Sequence, residues 1–279
     1  MRHLPIVILS LVFIASCGND EQPEPKEICG CTDETAANFS QEANCDDGSC
    51  VYLDDEMRTL NTFFTSTGCG ACGIYGIDCF NNYSAKMLDK ALPFELHFKY
   101  GDPMINETND SFVQIARPRW SPFYAVGLKQ SMVIGNDRPE TCELSDTNAE
   151  KLINEFYEKY PRTQIGITQT IENDTLNAHF AINAMGMQNL KFAVYVLEDS
   201  LVYTQNAGWR NDIEGWVHNH IVRDAITPVF GTLLKTQEKI GKLQIPIDPE
   251  WNQDHIYTML VLWNTENALP EVVNAERSY

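Results

Sequence analysis

Leu60-Asn61-Thr62-Phe63-Phe64-Thr65-Ser66-Thr67-Gly68-Cys69-Gly70-Ala71-Cys72 is the stretch on which the fold of this chain turns. Aromatic and β-branched residues between Leu60 and Thr65 favour a strand. That strand runs into a Cys-x-x-Cys turn, and a helix-length segment follows to about Lys90. Pro93 to Tyr100 reads as a second strand, with Phe94, Leu96, Phe98 and Tyr100 at alternate positions. A short helix is expected to begin near Asn109-Asp110. Ser121-Pro122-Phe123-Tyr124-Ala125-Val126-Gly127 reads as a third strand with a proline at its mouth. Ser145 or Asp146 caps a last helix, in which Leu152, Ile153, Phe156, Tyr157 and Tyr160 keep a helical spacing. Pro161 ends it.

Strand, CxxC, helix, strand, helix and Pro-led strand is the order of the thioredoxin fold, an α/β arrangement for which CxxC beside a βαβ pattern is a cue. Such a turn suits thiol–disulfide exchange. Cys69 at a helix N-terminus would be favoured as thiolate. Cys72, one turn on, could resolve a mixed disulfide. Pro122, if cis, would set the Ser121 backbone beside the sulfurs. Three features count against catalysis. Gly68 stands where thioredoxins carry Trp, Phe63 stands where they usually carry a buried carboxylate, and Gly73 and Gly76 loosen the first helical turns. An inert structural pair is therefore the preferred reading. No second CxxC or His pair accompanies this one, so neither a zinc site nor any cofactor is expected there. Cys79 and Cys142 are expected to pair and pin the last helix region to the sheet; the rival role for Cys79 is a third redox thiol.

Beyond Arg162 the hydrophobic period changes to two. Gln164–Ile171 and Thr175–Met185 flank Glu172-Asn173-Asp174, a hairpin signal. Short strands follow at Leu190–Leu197, Ser200–Tyr203, Lys242–Ile247, His255–Trp263 and Val272–Ala275. They suggest an all-β immunoglobulin- or fibronectin-like sandwich over 163–279, after a thioredoxin-like domain over 53–162.

Val202-Tyr203-Thr204-Gln205-Asn206, Gly208 and His218-Asn219-His220-Ile221-Val222-Arg223 are distinctive. With Phe64-Thr65, the CxxC and the terminal Glu271-Val272-Val273-Asn274-Ala275, they resemble the Omp-twenty-eight-related outer-membrane lipoproteins of Bacteroidota, over residues 58–279. The resemblance implies a thioredoxin-like domain joined to an immunoglobulin-like one, in a family described loosely as surface antigens, adhesins and receptors. His218 and His220 would point the same way on an extended segment, as a pair of metal ligands would, but with no third ligand evident the expectation is no metal. A hydrogen-bond cluster with Asn219 and Arg223 is preferred. Trp209, Arg210 and Trp216, in and beside the loop from Gly208 to Gly215, could form a binding edge or cover the sheet end.

The N-terminus supplies an address. Leu4 to Ile14 is too short to span a membrane and suits a signal-peptide core. Ile14-Ala15-Ser16-Cys17 resembles a bacterial lipobox, which implies a signal peptide over 1–16 and lipid on Cys17. Acyl chains there would anchor the protein to the membrane. Of nine cysteines, eight then remain in an exported chain where disulfides are permitted. Residues 17–28 form an acidic tether whose Gly18-Asn19-Asp20-Glu21 resembles a surface-export signal. Residues 29–52, framed by Gly30-Cys31-Thr32-Asp33 and Asp46-Asp47-Gly48-Ser49-Cys50, resemble a short repeat of exported Bacteroidota proteins. The frame implies Cys31–Cys50, and the extra cysteines imply Cys29–Cys45, as one of three possible connectivities. Asp33, Asp46 and Asp47 are read as solvated acidic turns in preference to a Ca²⁺ site.

The formal charge is -19, and removing residues 1–16 takes away Arg2 and leaves -20. Residues 17–57 hold twelve acids against Lys26, net -11, so the acidity belongs mainly to the tether and small module. A surface of that sign disfavours nucleic acid. The expected function is a surface-displayed outer-membrane lipoprotein that binds or adheres, with host or envelope proteins as partners. The alternative is an envelope thiol–disulfide oxidoreductase using Cys69, Cys72 and Pro122.

Overall fold

The computed structural model describes residues 26–99, 101–119, 121–132 and 147–278. Cys17, the signal segment, Cys142 and the Ser145-Asp146 cap lie outside the described residues. Two short parallel strands, β1 (Cys29–Gly30) and β2 (Cys45–Asp46), come first among the described residues. Little apolar area is gathered there, and the segment is closed by disulfides Cys29–Cys45 and Cys31–Cys50. Asp33, Asp46 and Asp47 accept hydrogen bonds from the backbone N–H groups of Thr35, Gly48 and Ser49, so these acids shape turns. The segment then lies on the body. Asp54 bridges Ile165, and a Cβ on Gly166 would fall 2.0 Å from the Tyr52 carbonyl oxygen.

β3 (Thr59–Thr65) is buried throughout. A π-helical turn, Cys72–Gly76, leads into α1 (Ile77–Met87), whose buried Cys79, Phe80, Tyr83 and Met87 recur at helical spacing. β4 (Ala91–His97) follows. α2 (Glu107–Ala116) begins where the Asn106 side chain accepts the Asn109 N–H, and it ends on Arg117 in the left-handed region. β5 (Phe123–Val126) turns through Gly127, at φ 59°, into β6 (Lys129–Met132), a strand not expected from the sequence. α3 (Thr147–Lys159) closes this half.

β7 (Gln164–Glu172) and β8 (Thr175–Asn183) are joined by Asn173 and Asp174, both at positive φ, the conformation a two-residue hairpin turn requires. β9 (Leu190–Glu198), β10 (Leu201–Gln205), β11 (Ile213–His218), β12 (Ile221–Ala225), β13 (Thr232–Leu233), β14 (Glu238–Pro246), β15 (Ile256–Asn264) and β16 (Glu271–Arg277) complete the chain.

The fold is mostly β. Its main sheet has the order β16-β15-β9-β12-β4-β3-β5-β6, with β13 added beside β9. β3, β4 and β12 are mutually parallel, and the other neighbours are antiparallel. A three-stranded sheet, β14-β8-β7, packs on β15 and β16. Ile165, Ile167 and Phe180 of that layer share one core with Phe192, Leu260 and Leu262, and also with Leu60, Phe64 and Phe94. Strands of both halves thus share a sheet and a core across the connection at 162/163. Arg58 adds a polar tie. Its backbone N–H donates to Asn274 Oδ1, and its guanidinium pairs with Asp54, Glu56 and Glu276. Among the described residues no helix is long and apolar enough to cross a membrane.

Candidate functional site

Cys69 follows β3 at the helix entrance and is disulfide-bonded to Cys72. The pair is buried, Cys69 being 6 % exposed and Cys72 1 %. Beneath it Phe63 stacks between Phe80, at 4.7 Å, and Tyr124, at 5.0 Å. The Tyr124 hydroxyl donates to the Gly76 carbonyl, and burial raises its pKa well above the usual value. Ser121–Pro122 is cis, and Pro122 sits against Gly76, where a Cβ would come within 3.2 Å of it.

Above the pair lies a strap from the other half of the chain, Gln205 to Gly208, which leaves β10. Gln205 Nε2 donates to the carbonyls of Cys69, at 3.1 Å, and Ser66, at 3.3 Å. The Asn206 N–H donates to Thr67 O. A Cβ on Gly73 would lie 2.2 Å from Asn206 O, and one on Gly70 would lie 2.6 Å from the Gly208 Cα. Gly70 and Gly73 are therefore what lets the strap descend. The loosening of the helix start expected from Gly73 and Gly76 is better read as close approach of two backbones and of Pro122. Trp216, on β11, packs against the same aromatic cluster, whereas Trp209 is 63 % exposed and Arg210 is exposed beside it. These three residues thus divide between covering the sulfurs and facing solvent.

β3 itself carries no carboxylate, but the neighbouring strand does. Glu95 occupies the neighbouring position on β4, in register with Phe63, and is buried. Its Oε1 lies 2.9 Å from His97 Nε2, and His97 Nδ1 lies 2.9 Å from Asp102 Oδ2. Asp102 Oδ2 also accepts the Thr67 N–H, which connects this network to the CxxC loop. Burial would lower the His97 pKa, but the two carboxylates raise it to about 9. Burial would raise that of Asp102, but His97 and two backbone N–H groups hold it at about 2. For Glu95 burial acts upward as well, and the facing imidazoles bring the net shift below the ordinary value.

His218 joins this group, with Nδ1 3.8 Å from Glu95 Oε1. His220 does not accompany it. The two histidines are not on one extended segment, because β11 ends at His218 and His220 turns the chain at φ 62°. His220 Nδ1 instead meets Tyr257 at 2.9 Å and Asp199 at 3.2 Å. Asn219 accepts from the Ser200 N–H, and Arg223 pairs with Glu198. The expected His218–Asn219–His220–Arg223 cluster is thus dispersed by a turn. Cys79 is disulfide-bonded and buried, which removes it as a free third thiol. A separate cavity of about 270 Å³ lies between α3 and β16, where the Glu271 carboxylate meets Lys129, Lys159 and Tyr160.

No curated protein matches the chain. HBP35 of Porphyromonas gingivalis shares its fold with a TM-score of 0.61 at 14 % identity, over 81 % of this chain and 76 % of that one. The family model of the outer membrane protein Omp28 matches residues 136–278, more than half the length, and takes in the strap, the β10–β11 ribbon and His218. This chain belongs to the Omp28 outer membrane protein family.

Proposed function

We propose that this outer-membrane protein is a lipid-anchored binding or adhesion protein, held through Cys17 and displayed at the cell surface. In this reading a thioredoxin-like segment carrying an inert disulfide is fused to an immunoglobulin-like β-sandwich. The order β4-β3-β5-β6, with β3 and β4 parallel and the CxxC between β3 and α1, supports the thioredoxin-like part. The observation that carries the proposal is the strap. A disulfide beneath Gln205–Gly208, with Cys69 6 % exposed, offers no sulfur to a substrate thiolate, and exchange requires access to one. The disulfide is then an inert element beneath the strap, which leads into the exposed edge bearing Trp209 and Arg210. Aromatic and Arg side chains on a rigidly supported loop are suited to partner proteins of the host or envelope.

The second reading, an oxidoreductase acting through Cys69, Cys72 and Pro122, draws on the buried Glu95 carboxylate one strand from Phe63. An insulin-reduction assay separates the two. The expected result is no turnover with the wild type, and a Cys69–Cys72 potential below about -300 mV, as for structural disulfides. Turnover that disappears in Cys69→Ser would establish the oxidoreductase instead. On the binding side, Trp209→Ala is expected to abolish capture of envelope or host protein without altering the melting temperature.

A further inference from the structure

Glu95 and His97 are two residues apart on β4, so their side chains leave the same face of the sheet. The turn at Asn219-His220 brings His218 to that face from the end of β11. One donor atom from each of the three lies within 4.8 Å of the others, and all three residues are buried. The His97 and His218 rings stand edge to face, with centroids 5.4 Å apart. Neither nitrogen of His218 has a hydrogen-bond partner among the described residues, although the residue is 1 % exposed. The Thr65 hydroxyl, on the residue paired with His97 across β3 and β4, is also buried without one. A protein interior does not ordinarily leave an imidazole unsatisfied on both sides. His97, by contrast, is gripped on its far nitrogen by Asp102, which Thr67 and Met104 hold through their backbone N–H groups. A carboxylate on the outer nitrogen is how a ligating histidine is oriented.

We propose that Glu95, His97 and His218 form a buried binding site for one divalent transition-metal ion of the zinc class. Two imidazole nitrogens and one carboxylate oxygen suit Zn²⁺, whereas Ca²⁺ and Mg²⁺ favour sets made of oxygen alone. Bonds of about 2.1 Å place tetrahedral ligand atoms about 3.4 Å apart. His97 and Glu95 must therefore part slightly from 2.9 Å, and His218 must close slightly from 3.8 Å. The proton shared by His97 and Glu95 leaves to solvent as Nε2 takes the metal. The site stands at a short seam of the main sheet. Glu95 pairs with Ile221, its N–H bonds to His220 O, and this is the one register pair joining β4 to β12. A metal there clamps the strand–CxxC half to the β10–β12 segment.

The test is metal analysis of the full mature chain, produced without a histidine tag in zinc-supplemented medium. The expected content is about one equivalent of zinc per chain. Refolding with Co²⁺ is expected to give the intense visible bands of a four-coordinate nitrogen–oxygen site. His218→Ala should lower bound metal by about tenfold or more, Asp102→Asn should weaken affinity by about 10- to 100-fold, and His220→Ala should change neither. Two results would overturn the proposal. One is wild-type protein with less than about a tenth of an equivalent, both as purified and after refolding with Zn²⁺ or Co²⁺. The other is full loading retained in His218→Ala. The Co²⁺ spectrum is read on the wild type, so it stands even where a variant fails to fold.

Discussion

Residues 29–52 and residues 60–80 both carry disulfides, yet the bonds do different things in the two places. In the first segment the side chains between the cysteines are mostly exposed or half-buried, and β1 and β2 are two residues each. Cys29–Cys45 and Cys31–Cys50 close loops of 16 and 19 residues there and stand in for a core. In the second, Cys69–Cys72 spans three residues and rests on Phe63, Phe80 and Tyr124 beneath a hydrogen-bonded strap. Burial already fixes that turn, so the bond adds little. Cross-links organise a segment where apolar area is missing and only trim it where packing is complete.

The comparison is broken most directly by deleting packing. Phe63→Ala removes the ring between Phe80 and Tyr124 and is expected to cost about 4 kcal/mol in urea-induced unfolding. A cost no larger than that of removing Cys69–Cys72 would mean that the cross-link, and not the aromatic stack, holds the turn. Next comes Cys31→Ala with Cys50→Ala, made together so that no thiol is left over. About 3 kcal/mol is expected, felt mainly in residues 29–52, whose docking on β7 runs through the Asp54–Ile165 bridge and the approaches of Val51 and Tyr52 to Gly166 and of Gly48 to Thr170. Limited proteolysis should cut the segment and leave the body whole. Simultaneous loss of the main sheet would show that the segment is integral to it. Smaller still is Cys69→Ser with Cys72→Ser, about 2 kcal/mol from the entropy of so short a loop, with the Gln205–Gly208 strap still protected from hydrogen exchange.

Much of this contrast is legible in the residues, and the part that is not has a physical cause. The elements of the CxxC half read well because Leu60, Phe63 and Phe64 and the alternating Phe94, Leu96 and Phe98 are apolar and β-prone, and because the buried face of α1 keeps a 3.6-residue period. β11 and β12 carry no such signal. The segment from Trp209 to Gly215 is polar and glycine-bearing, and the ribbon it enters stands partly exposed, so no alternation marks it. The strap is invisible for a related reason. Gly70 and Gly73 admit it by lacking side chains, and a pattern of apolar residues cannot register an absence. The Glu95–His97–His218 group assembles across strands, from β4 and the end of β11. Those positions are remote along the chain and meet only once β12 docks on β4. Spacing along the chain shows His218 beside His220, and a left-handed turn at His220 undoes that pairing.

The smallest expected effect concerns acid. The aromatic stack under Cys69–Cys72 holds no group that charges or discharges between pH 7 and 3, since Tyr124 is pushed upward. The cysteine segment does. Asp33 accepts hydrogen bonds from the Thr35 N–H, the Tyr52 hydroxyl and the Thr35 hydroxyl, which hold its carboxyl below the ordinary 3.8. A carboxylate whose folded pKa is depressed stabilises the fold above its unfolded value, and that contribution disappears as pH falls through the folded one. Residues 29–52 are therefore expected to loosen as pH drops below about 3.8, while the Phe63–Phe80–Tyr124 stack itself gains no charge. Hydrogen exchange at the Thr35 amide, compared between wild type and Asp33→Asn, reads this out. The variant should exchange faster at pH 7 and lose the acid dependence, and because Asp33 is open to solvent the difference should be modest. An Asp33 carboxyl that titrates at or above 3.8 by chemical shift would remove the acid-labile side of the comparison, and the two segments would then differ only in what their disulfides replace.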